Sequence, residues 1–223
     1  ISGKDSMKND FDDGQVRLSI PPTLLISAMG RIEDSEKALS SNLKVPGDLI
    51  YLLSCGSQSL TGSHYSMLYG KRDRQLAAFD SKAAPLLYRK IHEAVRDELL
   101  HSAHDLSEGG LLVALAEKVL GSRVGAEIDL APLLAQSGQD PDFVFFAEGP
   151  SRLLVSIPAA GKDRFEKLGF ADAGIEIFEL GRVIDEPVLK ITTGDTGLEI
   201  PASRLLEAWM KPLPIAGVDG RAL

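Results

Sequence analysis

Apolar residues recur at helical spacing in two long stretches of the chain. Between residues 82 and 101, Leu87, Ile91, Val95 and Leu99 fall four apart, which lines one face of a helix. Between residues 110 and 120, Leu111, Leu112, Leu115, Val119 and Leu120 repeat that rhythm. Shorter runs read as strands. "LIYLL" at 49–53 is too short for an independent helix and is bracketed by Gly and Ser, so it predicts a buried strand. "VGAEIDL", the "RLLVSI" that follows a turn over "VFFAEGPS", "IEIFELGRVI", "VLKIT" and "GLEIP" supply further strands. "VRLSIPPTLLIS" reads as two strands around Pro21–Pro22. Short helices are predicted over "LTGSHYSMLYG", closed by Gly70, over "KDRFEKLGF", and over "ASRLLEAWM", which has Ser203 near its start. Interleaved strands and helices make the class α/β (α+β), with a mixed sheet flanked by helices. A boundary is expected between Asp34 and Pro46, where the first strand pair gives way to a polar connection.

Composition narrows the partners more than the fold. The 223 residues carry 44% hydrophobic and 25% charged side chains and a net charge of −8. No Lys/Arg block stands out, so neither nucleic acid nor an anionic membrane is an expected partner. The only cysteine, Cys55, rules out a disulfide framework and a cysteine-built zinc cage and suits a reducing cytosol. No apolar run reaches the ~18 residues of a membrane span. The opening "ISGKDSMKND" has no initial methionine, and we read the chain as a piece of a longer, cytoplasmic polypeptide.

Three segments carry candidate chemistry, each with a structural alternative. In "HDLSEGG", residues 104–110, Ser107 is a candidate N-cap for the helix that follows. A helix N-terminus attracts phosphate, Gly109 and Gly110 would let a ligand or a neighbouring strand approach the backbone, and Asp105 could hold a hard cation such as Mg²⁺. The alternative is a capped helix whose glycines only permit tight packing, and His104 reads as a hydrogen-bonding spacer. "GKDS" at 3–6 offers a flexible turn, a cation and a hydroxyl suited to phosphate; the alternative is a surface turn. In "FFAEGPSRLLVSIP", Glu148 and Arg152 flank a turn at the head of a strand, the alternative there being a solvated ion pair.

Taken in order, "GKDSM", "PTLLISAMGRIED", "HDLSEGGLLVALAE" and "FFAEGPSRLLVSI" resemble the second half of phosphoribosylformylglycinamidine synthase, in the aminoimidazole ribonucleotide (AIR) synthase-related superfamily. The resemblance runs from about Ser2 to about Pro214, and "LLEAWMKPLP" is similar to the end of that family's domain. It implies that residues 1–38 are the last strands of a barrel-forming A-type domain, residues 45–214 the second B-type domain, and 215–223 a tail. It also implies an ATP-dependent carbon–nitrogen ligase of purine biosynthesis, which converts formylglycinamide ribonucleotide and glutamine-derived ammonia to the amidine. In that reaction ATP activates the amide oxygen by phosphorylation and ammonia then displaces phosphate, so phosphate-positioning donors and cations matter more than covalent machinery.

Carried over by position, the resemblance makes Gly3 and Lys4 nucleotide contacts and Ser6 a substrate contact. Lys4 stands where the small form of the family has a magnesium-binding asparagine, as in the large form. Asp105 would bind Mg²⁺, and Ser107 would contact an auxiliary ATP or ADP that is held without turnover. No residue here maps to the catalytic group. The implied partners are the first A/B half and a glutaminase domain or subunit, since Cys55 does not sit at a nucleophile elbow. The fragment alone is expected to be inactive, and its strands over 16–32, left without the rest of an A-type domain, should self-associate or lose order. Two other readings stay open: a non-catalytic pseudo-symmetric scaffold, and another superfamily member such as AIR synthase or a selenophosphate synthetase-like enzyme.

Overall fold

The computed structural model describes residues 2–6, 10–19, 23–71 and 75–211, the side chains of 2–6 and 23–24 excepted. Met7, Pro21–Pro22, residues 212–214 of the predicted B-type domain and the 215–223 tail lie outside the described residues. Two compact units divide at Ala38/Leu39.

In the first unit, β1 (Ser2–Ser6) pairs antiparallel with β4 (Thr23–Ser27), setting Gly3 opposite Ile26 and Lys4 opposite Leu25. The "GKDS" segment is therefore strand, where the sequence suggested a turn. Alternation of side chains with a paired backbone explains why a run with glycine, lysine and serine can still be extended. β2 (Phe11–Asp12) and β3 (Arg17–Leu18) form a hairpin. Its turn is held by Asp13, whose Oδ1 accepts from the backbone N–H groups of Gln15 and Val16. Leu25, Ile26 and Met29 are exposed.

The second unit is built on a seven-stranded sheet in the order β11-β10-β7-β9-β5-β8-β6. Its strands are β5 (Leu49–Ser54), β6 (Ser102–Asp105), β7 (Gly125–Asp129), β8 (Arg152–Ile157), β9 (Glu176–Ile184), β10 (Val188–Thr192) and β11 (Gly197–Pro201). Only the β7–β10 pair is parallel, and every other pair in this sheet is antiparallel. The inner strand β5 is buried on both faces, which is why "LIYLL" reads as unbroken hydrophobic sequence. Alternate residues then sort into two cores. Ile50 and Leu52 pack with Leu111 and Leu115, whereas Tyr51 and Leu53 pack with Leu87 and Phe165.

The first of these faces is covered by α3 (Gly110–Leu120), α4 (Ala131–Ser137), α5 (Pro141–Phe146) and α7 (Ala202–Met210), and the second by α2 (Ala83–Arg96) and α6 (Lys162–Glu166). A short α1 (His64–Tyr69) runs from Ser63, whose Oγ accepts from Ser66 N–H, to Gly70, which is left-handed at φ 72° as expected of a helix-closing glycine. α2 stops at Arg96, short of the predicted Leu99. Glu98 takes φ 55° and Leu99 N–H turns back to the Ala94 carbonyl, so Leu99 stays in the core without being helical. "FVFF" belongs to α5 and not to a turn, because Asp140 caps it by accepting from Asp142 N–H and Pro141 occupies the first helical position.

Candidate functional site

The "HDLSEGG" segment joins β6 to α3. His104 and Asp105 end β6, an edge strand held to β8 through Ala103↔Val155 and Asp105↔Leu153. His104 Nε2 lies 2.8 Å from Glu117 Oε2 on α3, so the ring ties strand to helix as the spacer reading expects. Asp105 is open to solvent, with 72% of its side chain exposed, and its Oδ1 stands 3.7 Å from His104 Nδ1. A carboxylate so placed can give one ligand to a hard cation that draws its other ligands from phosphate and water. Among the described residues no cluster of three or more His, Cys, Asp or Glu forms a closed metal cage.

Ser107 does not cap α3 through its side chain. The N-cap is Gly109, left-handed at φ 83°, and it is the Ser107 carbonyl that accepts, from Gly110 N–H. Gly109 N–H donates to Glu148 Oε1 at 2.8 Å, and the same oxygen accepts from His64 N–H at 3.0 Å at the start of α1. One carboxylate thus serves two helix N-termini, where backbone donors and the helix dipole favour an anion. Glu148 is fixed by backbone pairing of its own residue with Ser59 in both directions, at 2.9 and 3.0 Å.

The two glycines have separate structural causes. A Cβ on Gly109 would fall 2.4 Å from Val113 Cγ2 on the next turn. Gly110 also has positive φ, 66°, and a Cβ there would meet the Ala147 carbonyl oxygen at 2.8 Å and the Phe146 carbonyl carbon at 2.9 Å. At Gly110 the close neighbour is therefore the backbone that ends α5. Exposed Ser107 and Glu108 sit beside this junction, and the Glu108 carboxyl is held below its usual range by its own N–H and then by the Ser107 hydroxyl.

The Glu148–Arg152 ion pair suggested by the sequence does not form. Arg152 is only 2% exposed and donates from Nη1 to the Ala147 carbonyl at 2.8 Å, while Glu148 is engaged at the helix starts. Burial lowers the Arg152 pKa to about 10, opposed by the nearby Glu176 charge. Cys55 is buried with its Sγ 3.8 Å from the Ser151 carbonyl, and burial raises its thiol pKa, which makes it a poor nucleophile. Sequence reasoning missed Glu148 as the shared cap and Lys118 as a buried amine; an acid just ahead of a Gly-Pro turn carries no spacing signal for a distant helix. Gly3, Lys4 and Ser6 lie on β1 of the first unit, Asp105 at the end of β6 and Ser107 on the β6–α3 connection of the second.

With this geometry in hand, comparison with known proteins gives a family. Residues 45–194 match "AIR synthase related protein, C-terminal domain". The chain belongs to that family. Over 96% of its length it is 34% identical to phosphoribosylformylglycinamidine synthase subunit PurL of Anaeromyxobacter sp. (strain Fw109-5), and 31% identical to the PurL subunit of Lactobacillus helveticus. It spans only 28% and 27% of those relatives. Thermotoga maritima PurL complexed with ATP aligns over 77% of this chain and 27% of that one at TM-score 0.61 and 22% identity. T. maritima PurL complexed with FGAR gives TM-score 0.61 at 21% identity, again over 77% of this chain and 30% of that one. These likenesses agree with the mixed α/β fold expected of the AIR synthase-related domain.

Proposed function

We propose that this chain is part of a phosphoribosylformylglycinamidine synthase, the ATP-dependent carbon–nitrogen ligase acting on formylglycinamide ribonucleotide and ammonia drawn from glutamine. The supporting observation is identity of 31–34% to PurL subunits over nearly all of its length. On this reading residues 1–38 close an A-type domain and residues 45–214 form the second B-type domain. The first A/B half and a glutaminase domain or subunit complete the cytoplasmic enzyme, with the exposed first-unit strands favouring self-association when alone.

Within it, Gly3 and Lys4 would face nucleotide phosphate and Ser6 the ribonucleotide substrate. Asp105 would ligate Mg²⁺, and Ser107 would donate its hydroxyl to a phosphate oxygen of an auxiliary ATP or ADP. Mg²⁺-ATP at the Gly3–Lys4 side would supply the phosphoryl group for the reaction, whereas the auxiliary nucleotide at Asp105 and Ser107 would be held without turnover, its charge offset by Mg²⁺. The chain's own contribution is positional: β6 and the His104–Glu117 hydrogen bond hold Asp105 at the sheet end, and the fixed α3 start presents Ser107 beside it.

A scaffold role is the second reading, and one observation favours it. The Gly109 N–H that a phosphate would use already binds Glu148 Oε1. Titrating the purified chain with Mg²⁺-ADP by calorimetry separates the readings. Binding that weakens at least about tenfold in Asp105→Ala supports the nucleotide site, whereas a folded chain that binds none is a scaffold. Turnover of formylglycinamide ribonucleotide with ATP and ammonia should be undetectable for the chain alone, and measurable turnover would show that the missing half is dispensable.

A further inference from the structure

Among the described residues, two buried side-chain polar atoms have no hydrogen-bond partner: Ser54 Oγ and Arg152 Nε. Both residues are 2% exposed, and both line one cavity of about 190 Å³ between the sheet and the α4–α5 pair. Buried polar atoms are partnered almost without exception in folded proteins, so two orphans carried by residues that line one void call for an occupant reached by a small shift of either side chain. Register explains their meeting. Ser54, last residue of β5, stands opposite Arg152 of β8 on one side and Glu176 of β9 on the other, so the three project to the same face.

Several features select the ligand. The Arg152 guanidinium keeps its Nε free while Nη1 is committed to the Ala147 carbonyl, leaving a donor edge that suits a carboxylate. Glu176 is close enough to influence that charge, yet it forms no ion pair with it within 4.0 Å. A lining with one cation and one anion disfavours a simple anion and matches a dipolar molecule. Leu133, Phe143 and Phe178 give apolar walls, with Gln136 beside them. The volume falls below the ~300 Å³ at which drug-sized sites begin. That limits the occupant to a small metabolite.

We propose that this cavity binds a small zwitterionic amino acid, its carboxylate received by Arg152 and Ser54 and its ammonium facing Glu176. The site uses none of the residues assigned above to nucleotide or ribonucleotide, so it stands or falls separately from the ligase reading.

An NMR titration of the ¹⁵N-labelled chain with L-alanine, L-valine and L-glutamine, and with propionate and ethylamine as half-ligands, tests it. At least one amino acid should give saturable shifts centred on Ser54, Arg152 and Glu176, with each half-ligand about tenfold weaker or worse. Ser54→Ala, which deletes an unpartnered hydroxyl and should fold as well as the wild type, should weaken that binding several-fold. Glu176→Gln, a change at an exposed position, should erase the preference for the amino acid over propionate. Absence of saturable shifts with the folded wild-type chain up to tens of millimolar overturns the proposal, and so does propionate binding as tightly as every amino acid. Unchanged affinity in both variants does the same.

Discussion

Replacing Lys118 with methionine should flatten the pH dependence of stability on the alkaline side of neutrality. Lys118 lies on the buried side of α3 with no exposed surface. Its Nζ donates to Ser102 Oγ at 2.8 Å, to the Ser41 carbonyl at 3.0 Å and to the Leu154 carbonyl at 3.4 Å, and it has no carboxylate partner among the described residues. Burial, with a smaller push from Lys44, lowers its pKa from 10.5 to about 7. A difference of that size is worth roughly 5 kcal/mol between the protonation states. The unfolded chain holds this proton up to 10.5 while the folded chain releases it above about 7, so between those values the unfolded state binds more protons. Stability must then rise with pH, by at most about 1.4 kcal/mol per pH unit, and from about pH 7 to about pH 8.5 the integrated gain is about 1.5 kcal/mol. Methionine is similar in length and does not titrate, so the acceptors it strands cost the same at every pH. Lys44, lowered by burial, and Cys55, raised by it, contribute equally to both proteins and cancel in the difference. Denaturant unfolding followed by circular dichroism at half-unit pH steps supplies the two curves. Parallel curves would refute the reasoning, because the amine would then have to stay charged inside the fold.

Further expectations, at the helix junction and elsewhere in the second unit, are all readable by denaturant unfolding at neutral pH. Glu148→Ala removes the acceptor shared by Gly109 and His64 and should cost about 1–2 kcal/mol, with Glu148→Gln recovering part of it because an amide oxygen can still accept. Gly110→Ala should cost more than the ~1–2 kcal/mol of a left-handed backbone alone, since its Cβ also meets the Ala147 carbonyl at 2.8 Å. Gly138→Ala, at φ 60° with nothing within 4 Å, should cost only the backbone part, and equal losses at the two sites would show that the α5 contact is immaterial. Tyr51→Phe deletes a hydroxyl that donates to Glu166 Oε1 or Glu179 Oε2, at 2.9 and 2.8 Å, and should cost about 1–2 kcal/mol; no loss would mean that water replaces it freely.

The elements were legible where one physical cause acts along the chain. The run 49–53 had to be a strand because it is too short and too apolar for anything else, and the leucine spacing after Gly110 could serve only a helix. What the sequence concealed depends on residues far apart. Nothing near Glu148 signals that it caps helices starting at 64 and 110, and nothing near Lys118 announces a buried amine, because a lysine at helical spacing among leucines reads as the edge of the polar face. Arg152 was misread for the same reason: four residues from Glu148 it suggests an ion pair, yet the strand that starts there turns it inward, across from Ser54.

The glycine pair shows how far motif reading reaches. Gly109 and Gly110 belong to the segment whose resemblance suggested a nucleotide site, and a ligand's approach is the first explanation such missing side chains invite. In this chain the approach at Gly110 is made by Ala147, and the free donor at Gly109 is met by Glu148. Both glycines are therefore required whether or not a phosphate ever binds. The nucleotide reading must accordingly rest on the residues that packing leaves unexplained. Those are Asp105 and Ser107, whose side chains are exposed beside the junction and take no part in capping α3. If Asp105→Ala leaves stability unchanged and removes Mg²⁺-ADP binding, the motif carries function; if it changes neither, these positions are relics on a scaffold.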